Sequence, residues 1–423
     1  MFSKLKPKSE FSRNVLTLMT GTTIAQAIPI AISPILTRIY TPEDFGLLAL
    51  FVAITSIFGS IANGRYELAI MLPKKDEDAI NIFALGFIIT SFISLLLLVL
   101  VIVFNDYFTK LLNNDEIRLW LYFVPITVFF TGIYNILNYF NNRKKYYKDI
   151  ANATIIKSII TAVIQLSVGF LKGGVSGLIS GQLVSQMFAN MRLFKNIVKD
   201  KILISKISKV KIIALAKRYK DFPKFSIWAG LLNISSVHIT NLLISSFFNL
   251  ATLGFYSLVH KLLAMPAALI GGSIGQVFFQ EASKEKQDTG TTVNSFNSTV
   301  KKLLIIGIPS FGLLFFIVED LFAFIFGEEW RIAGVYAQII IPLFFVRFVV
   351  APMTIMNVIF NRNDIGLYWQ LGLFLLNMIV IGIAEILEFS FQEYLNYLNI
   401  VLICHYSLIF LIVSRYNKGK KNV

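Results

Sequence analysis

Residues 80–104 read INIFALGFIITSFISLLLLVLVIVF, a run without a single charged residue. A helix needs about 20 apolar residues to cross a hydrocarbon core about 30 Å thick, and this run is long enough. Strands of a membrane barrel alternate apolar and polar residues over about 10 positions, which this run does not do. The segment therefore predicts a transmembrane α-helix and excludes a barrel.

The rest of the chain has the same character. Its 423 residues are 56% hydrophobic and 15% charged, and the mean hydropathy is +0.70. A water-soluble protein of this size could not bury so much apolar surface, so we predict an all-α membrane protein with twelve transmembrane helices. The predicted spans are 14–37, 45–71, 80–104, 119–140, 150–171, 174–194, 224–247, 253–280, 302–326, 334–360, 367–388 and 394–414.

The net charge of +15 is concentrated in alternate gaps between these spans. The N-terminus, the 195–222 segment and the C-terminal tail are rich in Lys and Arg, whereas gaps such as 41–44 are not. The positive-inside rule then places both termini in the cytoplasm and explains the basic charge without a nucleic-acid partner. The first apolar run continues through Ile39, which favours an uncleaved first helix over a signal peptide.

The basic 195–222 segment divides the chain into two halves. Between residues 195 and 220 it holds nine Lys or Arg residues and one acid, Asp200. Apolar residues at helical spacing (Leu203, Ile207, Val210 and Ala214) predict one amphipathic helix on the inner leaflet, either as a passive linker or as a sensor of anionic lipid.

The two halves resemble each other weakly. Phe45-Gly46-Leu47 and Leu253-Gly254-Phe255 occupy matching places at the start of the second helix of each half. We predict two pseudo-symmetric six-helix lobes with a cavity between them, formed by residues 1–194 and 223–423 and joined by the linker 195–222.

Four cations lie inside predicted spans: Arg65, Lys157, Lys261 and Arg347. Arg347 stands in IPLFFVRFVV, residues 341–350, far from either helix end. Each charge at the bilayer centre costs about 2.5–3.5 kcal/mol, so these side chains must meet acids or water. Internal ion pairs are one interpretation. We favour a hydrated cavity with excess positive charge, because Arg and Lys are the side chains that bind phosphate.

Other residues inside the spans have more than one interpretation. Glu67 and Asp320 are candidates for coupling to Na⁺ or H⁺; on a helix, Glu67 would point away from Arg65. Pro29 and Pro34 predict a hinge or a passive kink in the first helix. Gly271, Gly272 and Gly275 predict close helix packing.

No catalytic motif is present in the sequence. It lacks the phosphate-binding Gly-x-x-x-x-Gly-Lys-Ser/Thr motif and a His-Glu-x-x-His pair, and Cys404 is its single cysteine. His238, His260 and His405 lack the spacing of metal ligands. The sequence therefore predicts a transporter with no cofactor or metal rather than an enzyme.

Four stretches of the sequence carry a family resemblance. They are Ser12-Arg13-Asn14, Leu36-Thr37-Arg38-Ile39-Tyr40-Thr41-Pro42-Glu43-Asp44-Phe45-Gly46, Arg65-Tyr66-Glu67-Leu68-Ala69-Ile70 with Pro73, and Gly254-Phe255-Tyr256-Ser257 through Lys261 and Pro266 to Phe279-Gln280-Glu281. These stretches resemble the polysaccharide-exporter branch of the multidrug/oligosaccharidyl-lipid/polysaccharide (MOP) superfamily, the repeat-unit flippases often called Wzx. The likeness covers nearly the whole chain. It is most specific in the first 80 residues and generic in the last four spans.

The resemblance implies a MATE-like monomer in the bacterial cytoplasmic membrane that works by alternating access. It implies a substrate of undecaprenyl diphosphate carrying a short oligosaccharide, for O-antigen, capsule or a related surface polysaccharide. Membrane lipids and the polysaccharide polymerase machinery are the implied partners. Arg65 and Lys261 are carried over from the family as head-group contacts, whereas Lys157 and Arg347 rest on their positions inside spans.

Three alternatives remain. An ion-coupled multidrug exporter would share the architecture, although span 14–37 lacks a carboxylate. A peptidoglycan-precursor flippase resembles the predicted fold but usually has fourteen helices. A membrane glycan polymerase or ligase needs a sizeable outer loop, and the longest one predicted here is 105–118.

Overall fold

The structure, a computed structural model, describes residues 10–360 and 362–418, which are almost entirely helical. The helices are α1 (Glu10–Ile39), α2 (Pro42–Gly59), α3 (Asp76–Leu111), α4 (Ile117–Leu121), α5 (Val124–Arg143), α6 (Tyr147–Phe170), α7 (Val175–Val198), α8 (Lys201–Ile204), α9 (Lys209–Arg218), α10 (Ile227–Phe247), α11 (Leu250–Thr289), α12 (Val293–Phe326), α13 (Arg331–Met353), α14 (Met356–Ile359), α15 (Asn363–Ile386) and α16 (Phe391–Tyr416).

Within the described residues, eight segments have both the length and the hydropathy of a membrane span. They are α1, α2, α3, α6, α12, α13 with α14, α15 and α16. The other four predicted spans fall on α5, α7, α10 and α11. The all-α membrane fold is thus confirmed, while the count of twelve spans and the cytoplasmic termini stay predictions.

Contacts divide the chain into an N-terminal unit, Met1–Ala251, and a C-terminal unit, Thr252–Val423. In the N-terminal unit α6 packs on α1 and α7, α3 packs on α5, and α10 packs on α2. In the C-terminal unit α13 packs on α12 and α16, and α15 packs on α16. By these contacts α10 belongs to the N-terminal unit. The division at 1–194, 195–222 and 223–423 stays a prediction.

The turn between α1 and α2 fixes the path of the chain in the N-terminal unit. Thr41 and Asp44 form a capping box that begins α2. Tyr40 donates its hydroxyl hydrogen to the backbone oxygen of Gln165 at 2.6 Å. Burial, together with the charge of Asp44, raises the pKa of Tyr40 to about 12, so the phenol remains a donor at neutral pH. A Cβ on Gly46 would lie 1.9 Å from the backbone oxygen of Leu250, so only glycine fits there.

The second predicted span, 45–71, is not a single helix. α2 ends at Gly59, residues 60–67 form turns, and a short 3-10 helix follows at Leu68–Met71. The break occurs where Gly64 and Arg65 adopt left-handed φ values of 59° and 62°, which an α-helix does not allow. In membrane proteins such irregular backbone is confined to protein-buried or cavity-lining positions.

The prediction of one amphipathic helix in the linker is wrong, because α8 and α9 are separated by a turn. The side chain of Asn81 forms hydrogen bonds with the backbone of this turn. Its Nδ2 donates to the backbone oxygen of Lys206, and its Oδ1 accepts from the backbone nitrogen of Ser208. Leu203 and Leu215 are buried in the core of the N-terminal unit. Val210 is 77% exposed. The predicted apolar stripe is therefore split between two faces.

Candidate anion-binding sites

The C-terminal unit contains a cavity of about 680 Å³ that is lined by α11, α13 and α14. Arg347 of α13 lines it. Its guanidinium carbon lies 5.2 Å from the ring centre of Phe344 and 5.8 Å from that of Tyr406. These cation–π contacts hold the side chain in place. Among the described residues, no carboxylate lies within ion-pair distance of Arg347.

Glycines of α11 line this cavity. A Cβ on Gly272 would have no heavy atom within 4 Å, and one on Gly275 would lie 3.5 Å from Pro352 Cβ. The prediction of close helix packing is therefore wrong for Gly272. Gln276 and Thr354 add polar groups to a lining that is otherwise mainly apolar. An apolar cavity of this size with one cation suits an amphipathic anion.

The interrupted segment after α2 positions Arg65. Arg65 Nη1 lies 3.4 Å from Glu67 Oε1 and donates to the backbone oxygen of Ser60 at 3.4 Å. The guanidinium also lies against α10, since a Cβ on Gly230 would come 3.3 Å from Arg65 Cζ. Any side chain at position 230 would therefore press on the arginine.

The expectation that Arg65 and Glu67 point to different helix faces is wrong. Residues 60–67 are not α-helical, and the left-handed φ of Arg65 turns the two side chains toward each other. Glu67 is only 3% exposed. Arg65 Nε and Glu67 Oε2 are buried and have no hydrogen-bond partner in the part of the chain that is described. This ion pair is therefore incompletely satisfied.

The other two predicted cations have different surroundings. Lys157 of α6 is half-buried, with its ammonium 5.7 Å from the ring centre of Tyr134. Lys261 of α11 is exposed. Neither forms an ion pair with a described acid. The structure thus brings Arg65 to Glu67 and leaves Lys157, Lys261 and Arg347 apart from carboxylates in the described residues.

Asp320 and the two prolines of α1 occupy unremarkable positions. Asp320 is an exposed carboxylate 2.8 Å from Arg331 Nη1, and the guanidinium of Arg331 also contacts Glu319 and Glu328. Pro29 and Pro34 lie inside α1, which continues as a helix through both. The hinge and the coupling role of Asp320 stay predictions.

Sequence reasoning missed the place of this cavity, which lies within the C-terminal unit, and it missed the left-handed turn. A signal for the first was available: Gly271, Gly272 and Gly275 on one helix are small residues that can open space as well as close it. The Asn63-Gly64 pair was a signal for the second, because these residue types favour turns with positive φ.

The fold is that of multi-pass membrane transporters. A lipid II flippase, MurJ, in an inward closed conformation aligns with a TM-score of 0.72 at 14% identity, over 94% of this chain and 87% of that one. An inward-facing multidrug resistance MATE family transporter of the MOP superfamily aligns with a TM-score of 0.63 at 13% identity, over 95% of each chain. At these identities the likeness shows the fold alone.

The sequence gives the family. The profile of the family described as "Polysaccharide biosynthesis protein" matches residues 35–335, and the chain belongs to that family. The teichuronic acid biosynthesis protein TuaB of Bacillus subtilis (strain 168) is 24% identical over 160 residues, which cover 38% of this chain and 33% of that protein. The match thus spans about a third of that relative's length.

Proposed function

We propose that the protein is a flippase for undecaprenyl-diphosphate-linked oligosaccharide repeat units. It carries them from the inner to the outer leaflet of the bacterial cytoplasmic membrane by alternating access, for O-antigen, capsule or a related surface polysaccharide. The observation that carries the proposal is Arg347, which lines an apolar cavity of about 680 Å³ and has no carboxylate partner in the described residues. Membership of a polysaccharide biosynthesis family supports a glycan substrate.

The chemistry of this substrate suits the cavity. A guanidinium presents a planar fork of donors that pairs with phosphate oxygens. The apolar wall around it, including Phe344 and Phe348, accommodates isoprenoid carbons close to the diphosphate. Arg65, Lys157 and Lys261 provide further cations for the head group along its path. The tail of the lipid stays in the bilayer while the diphosphate moves.

The protein acts as a monomer with both termini in the cytoplasm and delivers its product to the polysaccharide polymerase machinery. Movement is driven by the gradient of H⁺ or Na⁺.

The test is glycan profiling of a strain that lacks the protein. We expect lipid-linked repeat units to accumulate and surface polysaccharide to be lost, and the wild-type gene to restore both. Arg347→Ala should fail to restore surface polysaccharide at a normal membrane level. Lys302→Ala, which removes an exposed cation of α12, is the matched control and should restore it. Normal surface glycan in the deletion strain, or full activity of Arg347→Ala, would contradict the proposal.

A further inference from the structure

We propose that Glu67 is an internal substitute for the phosphate of the ligand. In its ionised form the carboxylate occupies Arg65, and a phosphate takes Arg65 when Glu67 has accepted a proton. Anion binding at Arg65 is therefore linked to uptake of one proton. This inference rests on the proposed function, in which Arg65 contacts the diphosphate head group, and it adds a regulation of that contact.

The geometry of the ion pair carries the inference. The distance from Arg65 Nη1 to Glu67 Oε1 is 3.4 Å. Charge-assisted hydrogen bonds between guanidinium and carboxylate are usually about 2.7–2.9 Å long and often doubled. Arg65 Nε and Glu67 Oε2 are left without hydrogen-bond partners among the described residues. A ligand that engages more of the guanidinium donors can therefore displace this carboxylate.

The two partners differ in exposure. The side chain of Arg65 is 25% exposed, whereas that of Glu67 is 4% exposed. A soluble or lipid-borne anion can thus reach the arginine, while the carboxylate stays behind it. Removing the cation from a buried carboxylate leaves an uncompensated charge, which is strongly unfavourable. Protonation removes that charge, so the binding of phosphate and of a proton favour each other.

The surroundings of Glu67 leave Arg65 as its main charged partner. Of the described residues, Arg65 is the charged group that acts on Glu67, and Tyr139 of α5 is a neighbouring titratable group. Gly230 of α10 lies against the guanidinium of Arg65. Tyr66, between the two, turns away and donates to the backbone oxygen of Ala216 in α9 at 3.0 Å.

The proton balance is simple. The carboxylate of Glu67 takes one proton from water as the phosphate forms its bonds with Arg65. When the anion leaves, the carboxyl group returns that proton to water and the carboxylate pairs with Arg65 again. The linkage regulates the contact with Arg65. Because the proton and the anion are bound together, it would carry the proton outward with the lipid, so this is not the step that an inward H⁺ gradient drives.

The test measures binding of farnesyl diphosphate to the purified full-length protein in detergent by calorimetry. Glu67→Gln keeps the shape of the side chain and removes its charge. We expect it to bind about tenfold tighter than wild type at about pH 8, equal to about 1.4 kcal/mol. Between about pH 8 and about pH 6 the wild type should gain affinity more steeply than Glu67→Gln, whose remaining slope reports the titration of the ligand itself.

Two further variants make the result decisive. Glu67→Met, of similar length and without charge, should behave like Glu67→Gln and covers the case in which that variant folds poorly. Arg65→Asn should lose most of the binding. If both Glu67 variants keep the affinity and pH slope of wild type while Arg65→Asn loses binding, this inference is wrong and the proposed function stands. If Arg65→Asn binds like wild type, the role of Arg65 in the proposed function is wrong as well.

Discussion

Each unit of the molecule holds an arginine inside a predicted membrane span, and the two are accommodated in different ways. Arg65 stands on an interrupted backbone with left-handed φ, against a buried carboxylate. Arg347 stands within the helix α13, between two aromatic rings and beside an open cavity. One chain thus accommodates charges inside predicted membrane spans in two ways, by an internal ion pair and by access to a cavity.

The two arrangements have different consequences for ligands. The two cation–π contacts of Arg347, at about 0.5–2 kcal/mol each, offset much of the cost of about 2.5–3.5 kcal/mol for an arginine at the bilayer centre. Arg347 also borders the cavity and has no carboxylate partner among the described residues, so an anion in the cavity can pair with it. Arg65 already has an anion in Glu67. We thus interpret Arg347 as a cation that an anionic ligand can reach directly. Arg65 binds such a ligand only after Glu67 has released it.

Filling the cavity beside Arg347 should have a large effect on transport. Gly272→Phe would place a ring in space where a Cβ meets no heavy atom within 4 Å. We expect it to reduce transport by about 100-fold, equal to about 2.7 kcal/mol, because the isoprenoid and phosphate groups lose their place.

The matched control is Gly272→Ala, which adds a methyl group to the same open space and should leave transport within about twofold of wild type. Transport is measured as restored surface polysaccharide per unit of membrane protein. Equal activity of the phenylalanine and alanine variants would show that the cavity is not used.

A smaller effect is expected at Arg65. Asn tolerates left-handed φ better than Arg does, and Glu67→Gln removes the buried charge with which Arg65 pairs, so the double variant Arg65→Asn with Glu67→Gln should nearly keep the thermal unfolding temperature. Transport should fall about tenfold, since one phosphate contact of about 1.4 kcal/mol is lost. A large drop in unfolding temperature would instead assign Arg65 a structural role and weaken the comparison with Arg347.

The smallest effect is expected at Glu285, which stabilises the C-terminal unit and does not line the cavity. Glu285 accepts hydrogen bonds from the backbone nitrogens of Asn294 and Ser295 at 2.9 and 2.7 Å, at the beginning of α12. Burial alone would raise the pKa of Glu285, but the hydrogen bonds from Ser295 and Asn294 outweigh it and lower the pKa. Its stabilisation is therefore present above the ordinary glutamate pKa of about 4.3 and is lost as pH falls through the lowered value.

Glu285→Gln should destabilise the protein by about 1 kcal/mol at neutral pH, with little change in transport. The difference in unfolding temperature between wild type and Glu285→Gln should shrink as the pH falls below about 4. A difference that stays constant with pH would mean that the charge of Glu285 does not act at this helix end.

Much of the fold could be predicted from the sequence. Long apolar runs such as 80–104 leave the backbone one way to satisfy its hydrogen bonds in lipid, which is a helix. The positions of helix starts were also accessible, as at Thr41-Pro42-Glu43-Asp44, whose residue types form a capping box. These features depend on local composition, and composition is what a sequence reports directly.

The site was less predictable because it depends on backbone geometry and on distant packing. Hydropathy carries the second span straight through Ser60 to Glu67, since it does not register that Gly64 and Arg65 adopt left-handed φ. The ion pair of Arg65 with Glu67 follows from that turn. The space around Gly272 depends on how α11 and α13 pack, which the sequence of either helix alone does not contain.

The most direct test of the central claim is transport by the full-length protein in sealed proteoliposomes. The substrates are lipid-linked repeat units extracted from the strain that lacks the protein and, separately, a cationic fluorescent drug. We predict that wild type moves the lipid diphosphate, that Arg347→Ala moves it at least about 100-fold more slowly, and that neither moves the drug. Transport of the drug without transport of the lipid would contradict the account and identify an exporter of cations.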